Sequence, residues 1–177
     1  GGGDPTGFKI DDCKTQRNLN REGINQSKKI GKLFKKNKVP IDQVLSSQWC
    51  RCKDTAKYAF KSYNEFTALN STFQTPYNRN EPKQLKELYN FVKKWDGDGK
   101  NLVLITHYSI ITAVTNAVPS SGEIIITDKF DYNDAKDINS LADVKEMMSG
   151  IISAFKGEGE NFHGSGGLYS ALREGIR

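Results

Sequence analysis

The fold is decided by the stretch Val44-Leu45-Ser46-Ser47-Gln48-Trp49-Cys50-Arg51-Cys52-Lys53-Asp54-Thr55-Ala56. It predicts a short apolar strand, then a turn with two hydroxyl groups, and then the start of a helix. Such a turn gathers the serine hydroxyls, the Arg51 guanidinium and the N–H groups of the helix N-terminus at one point. Because forked donors and helix N-termini bind phosphate, the stretch predicts a phosphate site around Arg51 and the hydroxyls of Ser46 and Ser47.

A second strand-to-helix junction contains His107. This residue follows the run Leu102-Val103-Leu104-Ile105-Thr106, whose lack of alternation predicts a buried strand of a parallel sheet, and it precedes a helical pattern. In a parallel sheet the carboxyl ends of the strands share one edge, where α/β proteins bind ligands. We therefore expect His107 to face the phosphate-binding Arg51.

The rest of the chain alternates between helical and strand patterns. We predict helices over 20–37, 50–63, 82–95 and 107–117, strands over 43–46, 101–106 and 123–127, an irregular polar stretch over 64–80, and a further helix from Ser140. This alternation predicts an α/β three-layer sandwich with a mostly parallel central sheet flanked by helices. The length of 177 residues predicts a single domain.

Charge and hydropathy exclude some classes of partner. The net charge of +5 favours anionic partners. The chain has a basic run of six lysines over residues 28–38, and the apolar residues Ile30, Leu33 and Phe34 lie among them. This pattern is typical of a solvated helix face over a core stripe, so we expect no nucleic-acid partner. No apolar stretch approaches the roughly 20 residues of a membrane span, so we expect no membrane partner. These residues show no signal-peptide pattern, which leaves a cytoplasmic protein or a mature secreted form.

Several ordered motifs resemble one known family. They are Ser46-Ser47 with Arg51 and Thr55-Ala56, the strand that ends at Ile105-Thr106-His107, and the segment Asp12-Cys13-Lys14-Thr15-Gln16-Arg17-Asn18-Leu19 followed by Gly23. Together they are similar to the histidine phosphatase, or phosphoglycerate-mutase-like, superfamily, and to its secreted or periplasmic branch. The resemblance covers about residues 4–128.

The resemblance implies hydrolysis of phosphomonoesters through a phosphohistidine, without a metal or another cofactor. Arg51 would bind the phosphoryl oxygens, and His107 would stabilise charge on the transferring group. Ser46 and Arg17 could line the pocket. Glu65 and Glu81 are candidates for the general acid. The partner would be a phosphorylated small molecule or a phosphate ion.

The three cysteines, Cys13, Cys50 and Cys52, lack the paired spacing of a zinc site. In the family fold the motifs around Cys13 and Cys50 would converge. The sequence allows two alternatives for Cys13 and Cys50: a disulfide in an oxidising compartment, or a pair of buried thiols. With the disulfide, Cys52 would be unpaired, and it is a poor candidate for a nucleophile.

The family's nucleophilic histidine, in an Arg-His-Gly or Arg-His-Ala motif on a central strand, is missing here. The other histidine, His163, lies in the glycine-rich segment 157–167, which is typical of a linker. The segment 168–177 resembles the family's N-terminal helix, and residues 1–8 resemble the loop after the absent strand. The order therefore resembles a circular permutation without that strand, with residues 129–167 as an extension or linker.

Three origins of this order stay open: a natural rearrangement, an engineered sequence, and an order that differs from the native gene. The missing strand also suggests a second function. The chain would be a binding module that accepts a complementing strand, or a scaffold that forms a swapped oligomer.

Overall fold

The computed structural model describes residues 3–127. The elements, in chain order, are α1 (Arg21–Lys36), β1 (Ile41–Ser46), α2 (Cys50–Phe60), β2 (Asn64–Glu65), α3 (Glu81–Lys94), β3 (Asn101–Ile105) and α4 (Tyr108–Thr115), with short 3-10 helices at Cys13–Thr15, Thr67–Leu69 and Tyr77–Asn80. The protein is an α/β fold, as the alternating pattern predicts.

The three strands form a parallel sheet in the order β2-β1-β3. β1 is the central strand, and its last residue, Ser46, is level with Ile105 of β3. Both strands then run into helices, α2 and α4 respectively. The register therefore places the two strand-to-helix junctions side by side at the carboxyl edge of the sheet, as expected for parallel strands.

The main core lies between the sheet and the helices α3 and α4. Leu45 from β1 packs with Leu88 and Val92 of α3 and with Ile110 and Val114 of α4. α2 also packs on β1, and α1 packs on α2. The sheet is therefore held by helices from separate parts of the chain.

Local sequence signals explain where α1 begins and how closely it approaches α2. The Asn20 side chain accepts a hydrogen bond from the Gly23 backbone N–H and caps the helix. The lysines of the basic run are exposed, whereas Ile30 is buried. At Gly31 the helix contacts the Ala59 backbone of α2, and a Cβ atom there would lie well inside van der Waals contact.

The structure corrects four sequence predictions. No strand forms over 123–127, although that run is apolar. Residues 64–80 are not wholly irregular, because Asn64–Glu65 pairs with β1 as β2. The second helix ends at Phe60 rather than near residue 63, since Lys61 takes a positive φ of 69°. β3 is only half-buried, because within residues 3–127 it pairs with a strand on one side alone.

The predicted helix from Ser140 and the segments 129–167 and 168–177 lie outside the described residues. Over residues 3–127, no helix combines the length and apolar character needed to cross a bilayer.

Candidate functional site

Arg51 and His107 meet at the carboxyl edge of the sheet. Arg51 is the second residue of α2, and His107 is the residue before α4. The Arg51 Nη2 atom lies 3.3 Å from His107 Nδ1. The imidazole is buried, and it packs edge-on against the fully buried Trp49 ring at a centroid distance of 5.3 Å. The two residues singled out by their positions after β1 and β3 therefore lie in contact.

A chain of hydrogen bonds sets the tautomer of His107. Because a guanidinium can only donate, Nδ1 must accept from Arg51. The ring proton then lies on Nε2, which donates to Ser47 Oγ at 2.7 Å. Ser47 Oγ in turn donates to Asn70 Oδ1 at 3.2 Å. The Nδ1 lone pair of His107 is thus directed toward Arg51.

His107 is neutral at physiological pH. Burial lowers the pKa of His107 to about 3, and the neighbouring Arg51 charge acts in the same direction, whereas Asp4 opposes them. The ring therefore acts as a hydrogen-bonded neutral group and not as a second cation beside Arg51.

Asp4 is the main partner of the arginine. Its Oδ1 atom accepts from Arg51 Nη1 at 2.9 Å and from the Arg17 backbone N–H at 2.9 Å. Its Oδ2 atom accepts from Arg51 Nη1 at 3.0 Å and from Trp49 Nε1 at 2.9 Å. These three groups, Arg51 Nη1, Trp49 Nε1 and the Arg17 N–H, are called the anion donor set below. The Asp4 side chain is 3% exposed, so an oxyanion is already held here.

The charged form of Asp4 is favoured. Burial raises the pKa of Asp4, but the hydrogen bonds from the Arg17 backbone and Trp49 and the positive charge of Arg51 outweigh burial. The net pKa therefore lies below its ordinary value, and Asp4 is a carboxylate at neutral pH. The donors around Asp4 therefore stabilise a buried carboxylate oxyanion.

Backbone N–H groups around the start of α2 have side-chain partners, which differs from the sequence expectation. The Gln48 N–H donates to Asn70 Oδ1 at 2.9 Å, and the Trp49 N–H donates to Ser47 Oγ at 3.2 Å. The Cys50 N–H donates to the buried Gln16 side chain at 3.0 Å. The anion donor set is therefore built from side chains and from the Arg17 backbone, and not from these N–H groups of the turn.

Ser46 and Arg17, the other two residues predicted to line the pocket, make different kinds of contact with the site. Ser46 is fully buried, and its hydroxyl donates to the Ser47 carbonyl at 2.9 Å, so its neighbour Ser47 is the serine that contacts His107. Arg17 contributes its backbone, because its N–H donates to Asp4 and its carbonyl accepts from Arg51 at 3.5 Å.

Both candidates for the general acid have polar partners. Glu65 forms an ion pair with Lys53 at 3.3 Å. Glu81 accepts from the Thr72 hydroxyl at 2.6 Å. Neither partner belongs to the anion donor set, and the structure gives no contact between these carboxylates and His107.

A disulfide joins Cys13 to Cys50, which answers the alternative that the sequence left open. The bond ties the segment before α1 to the first residue of α2, with a Cα–Cα distance of 5.6 Å. It therefore anchors the Arg17 region beside Arg51. Cys52 is a free, buried thiol, as expected. Burial raises the pKa of Cys52 to about 12, so it is not a thiolate at neutral pH.

Neither of the two potential nucleophiles beside His107 has the required geometry. Ser47 is fully buried, and the tautomer places a proton on the nitrogen that faces it, so His107 cannot deprotonate it. Cys52 Sγ lies 3.6 Å from the same protonated nitrogen.

Within residues 3–127 there is also no cluster of three or more potential metal ligands. His163, the only other imidazole, lies outside the described residues.

Sequence reasoning missed several residues of the site. Asp4, Trp49, Ser47 and Asn70 all contact the Arg51–His107 pair or its partners. The sequence places the Ser47 hydroxyl in the turn beside Arg51, but Ser46 is the serine that it singles out to line the pocket. Asp4 carries no local signal, because it lies 47 residues from Arg51 in a glycine-rich segment.

Comparison with known proteins leaves the family open: no family model, no curated protein and no solved structure matches this chain.

Proposed function

We propose that this chain is a phosphate-binding domain of the histidine phosphatase type. In this proposal Arg51 binds the phosphoryl oxygens of a phosphomonoester, and His107 contacts the same group. The observation that carries the proposal is the bound carboxylate of Asp4, which Arg51 holds through two contacts at 2.9 and 3.0 Å while it also contacts His107. A group of donors that holds a carboxylate oxygen pair can hold phosphoryl oxygens by the same geometry.

The role of His107 depends on a proton that it lacks in the free protein. Its Nδ1 atom accepts from Arg51, so it cannot donate to a phosphoryl oxygen in this state. A phosphate dianion in contact with Arg51 would raise the pKa of His107, since a nearby negative charge favours the imidazolium. Once protonated at Nδ1, the ring would donate to a phosphoryl oxygen and stabilise its negative charge.

Hydrolysis requires a nucleophile from elsewhere. The family's reaction passes through a phosphohistidine, and the described residues offer His107 alone as an imidazole. We therefore propose that turnover of phosphomonoesters depends on a strand that brings a second histidine to the site. The Cys13–Cys50 disulfide supports a secreted or periplasmic location, because disulfides persist in oxidising compartments.

Calorimetric titration of the full chain with inorganic phosphate tests the binding proposal. We expect Arg51→Ala to weaken phosphate binding by about ten- to hundred-fold, the worth of a hydrogen bond to a charged group. Arg51→Lys keeps the charge and should recover only part of the affinity, since lysine lacks the fork. Lys32→Ala, which removes a charge from the exposed face of α1, is the matched control. Equal affinity of Arg51→Ala and the unsubstituted chain would contradict the proposal.

One observation favours a second candidate function, a strand-accepting module or a swapped oligomer. Within residues 3–127, β3 pairs with β1 alone, and all five of its residues are half-buried. Such an edge offers backbone donors and acceptors to an added parallel strand. Thermal melts with and without an apolar peptide that ends in Arg-His-Gly test for a strand-accepting module. The mass from light scattering tests for a swapped oligomer. A monomer whose melting temperature does not change when the peptide is added would contradict this second function.

A further inference from the structure

The Asp4 carboxylate and a phosphoryl group would compete for the same donors. Four contacts of 2.9 to 3.0 Å join the two Asp4 oxygens to the anion donor set. Arg51 itself has partners at both terminal nitrogens, Asp4 on Nη1 and His107 on Nη2. Two anions within a few ångströms of each other repel strongly. A phosphate group therefore cannot bind Arg51 closely while Asp4 remains in place.

Asp4 lies in a segment whose other residues are exposed. Its neighbours Gly3, Pro5, Thr6 and Gly7 are exposed. The next firm attachment of this segment is Phe8, whose ring packs on Trp49 and Tyr77 at centroid distances of 5.6 and 5.4 Å. A movement confined to residues 3–7 would break the Asp4 contacts, the bond from the Asp4 N–H to Gln74 and the bond from the Phe8 N–H to the Pro5 carbonyl, while the aromatic contacts of Phe8 could stay in place.

We propose that Asp4 is an internal competitor for the phosphate site: its carboxylate occupies the anion donor set in the free protein and must leave before a phosphoryl group binds. The inference rests on the proposed function of Arg51 and adds how that site selects its ligand. A phosphate dianion carries more charge and more oxygens than one carboxylate, so it can displace Asp4. Singly charged carboxylate ligands have no such advantage, and the site selects against them.

Removal of the Asp4 charge should tighten phosphate binding. We expect Asp4→Asn to bind inorganic phosphate about ten- to hundred-fold more tightly than the unsubstituted chain, because the competing charge is gone. The matched control is Asp42→Asn. Asp42 also accepts from an indole N–H, that of Trp95 at 2.9 Å, but this indole does not belong to the anion donor set. Asp42→Asn should leave the phosphate affinity unchanged.

A second measurement needs no substitution at Asp4. The chain has two tryptophans, and each donates its indole N–H to a different aspartate. During a phosphate titration followed by ¹H–¹⁵N correlation spectra, the Trp49 indole resonance should shift while the Trp95 resonance stays constant. A Trp95→Phe variant assigns the two signals. This experiment decides the question even where Asp4→Asn fails to fold.

The outcomes separate this inference from the proposed function. The competition is supported if Asp4→Asn binds phosphate more tightly and Asp42→Asn does not. It is also supported if the Trp49 indole signal shifts and the Trp95 signal stays constant. If phosphate binding depends on Arg51, yet Asp4→Asn matches Asp42→Asn and the Trp49 signal is constant, the competition is wrong and the phosphate site stands. If neither the unsubstituted chain nor Asp4→Asn binds phosphate, the proposed function fails and the competition fails with it.

Discussion

At the scale of single residues, the stability of the protein depends on a histidine that stays uncharged. His107 is buried between Arg51, Ser47 and Trp49, and this environment lowers the pKa of His107 to about 3. In the unfolded chain the ordinary pKa is near 6.5. As the pH falls below 6.5, His107 becomes protonated in the unfolded state, whereas in the folded state it stays neutral until the pH approaches 3. Acid therefore destabilises the folded state across this interval.

We expect the free energy of unfolding to fall by about 2 kcal/mol more in the unsubstituted chain than in His107→Gln between pH 7 and pH 5. Urea titrations across this range measure the difference. His163 is present in both proteins, so its titration cancels. Asp4, whose pKa is lowered, keeps its charge throughout the range in both the folded and the unfolded state. Parallel curves for the two proteins would show that His107 titrates normally in the folded state.

At the scale of elements, the position of Arg51 depends on how closely two helices approach. α1 and α2 come together where Gly31 contacts the Ala59 backbone. A side chain at this position would push the two helices apart. Because α2 carries Arg51 and begins at the disulfide-bonded Cys50, a shift of α2 would also disturb the anion donor set.

Gly31→Ala should therefore destabilise the protein by about 1–3 kcal/mol, although alanine favours helices more than glycine does. Gly23→Ala is the matched control in the same helix. A Cβ at Gly23 would meet mainly Leu19 side-chain atoms, the nearest at 3.1 Å, which can move aside. Urea unfolding of both variants provides the comparison. A stabilised Gly31→Ala would show that the two helices can separate at no cost.

At the scale of the whole molecule, the disulfide links the segment before α1 to the sheet and its site. Cys13 and Cys50 are 37 residues apart and enclose α1 and β1. The segment that the bond anchors also supplies two other contacts to the site. Gln16 accepts from the Cys50 N–H, and the Arg17 N–H donates to Asp4.

We expect the double variant Cys13→Ser/Cys50→Ser to lose about 3–4 kcal/mol of stability, the value for a closed loop of this length. Dithiothreitol should produce a similar loss in the unsubstituted chain and no change in the double variant. Equilibrium urea unfolding, with and without the reductant, gives all four values. An unsubstituted chain that is insensitive to the reductant would mean that the bond contributes nothing to stability.

The sequence by itself determined the elements and the edge at which they meet. Periodic apolar residues, the Asn20 cap and the proline at the start of α3 are local signals, and within residues 3–127 they predict the α-helices and two of the three strands. The junctions after β1 and β3 also predict that Arg51 and His107 lie together. This inference needs only the rule that parallel strands end at one edge.

Only the tertiary structure decided what surrounds Arg51 and His107. The contact between Asp4 and Arg51 spans 47 residues, and that between Ser47 and His107 spans 60. The run over 123–127 shows the same dependence, since it has strand-like residues and yet pairs with no strand among residues 3–127. Local propensity acts within a few residues of the chain. Hydrogen-bond partners and strand pairs depend on which distant segments approach, and packing of the whole chain decides that.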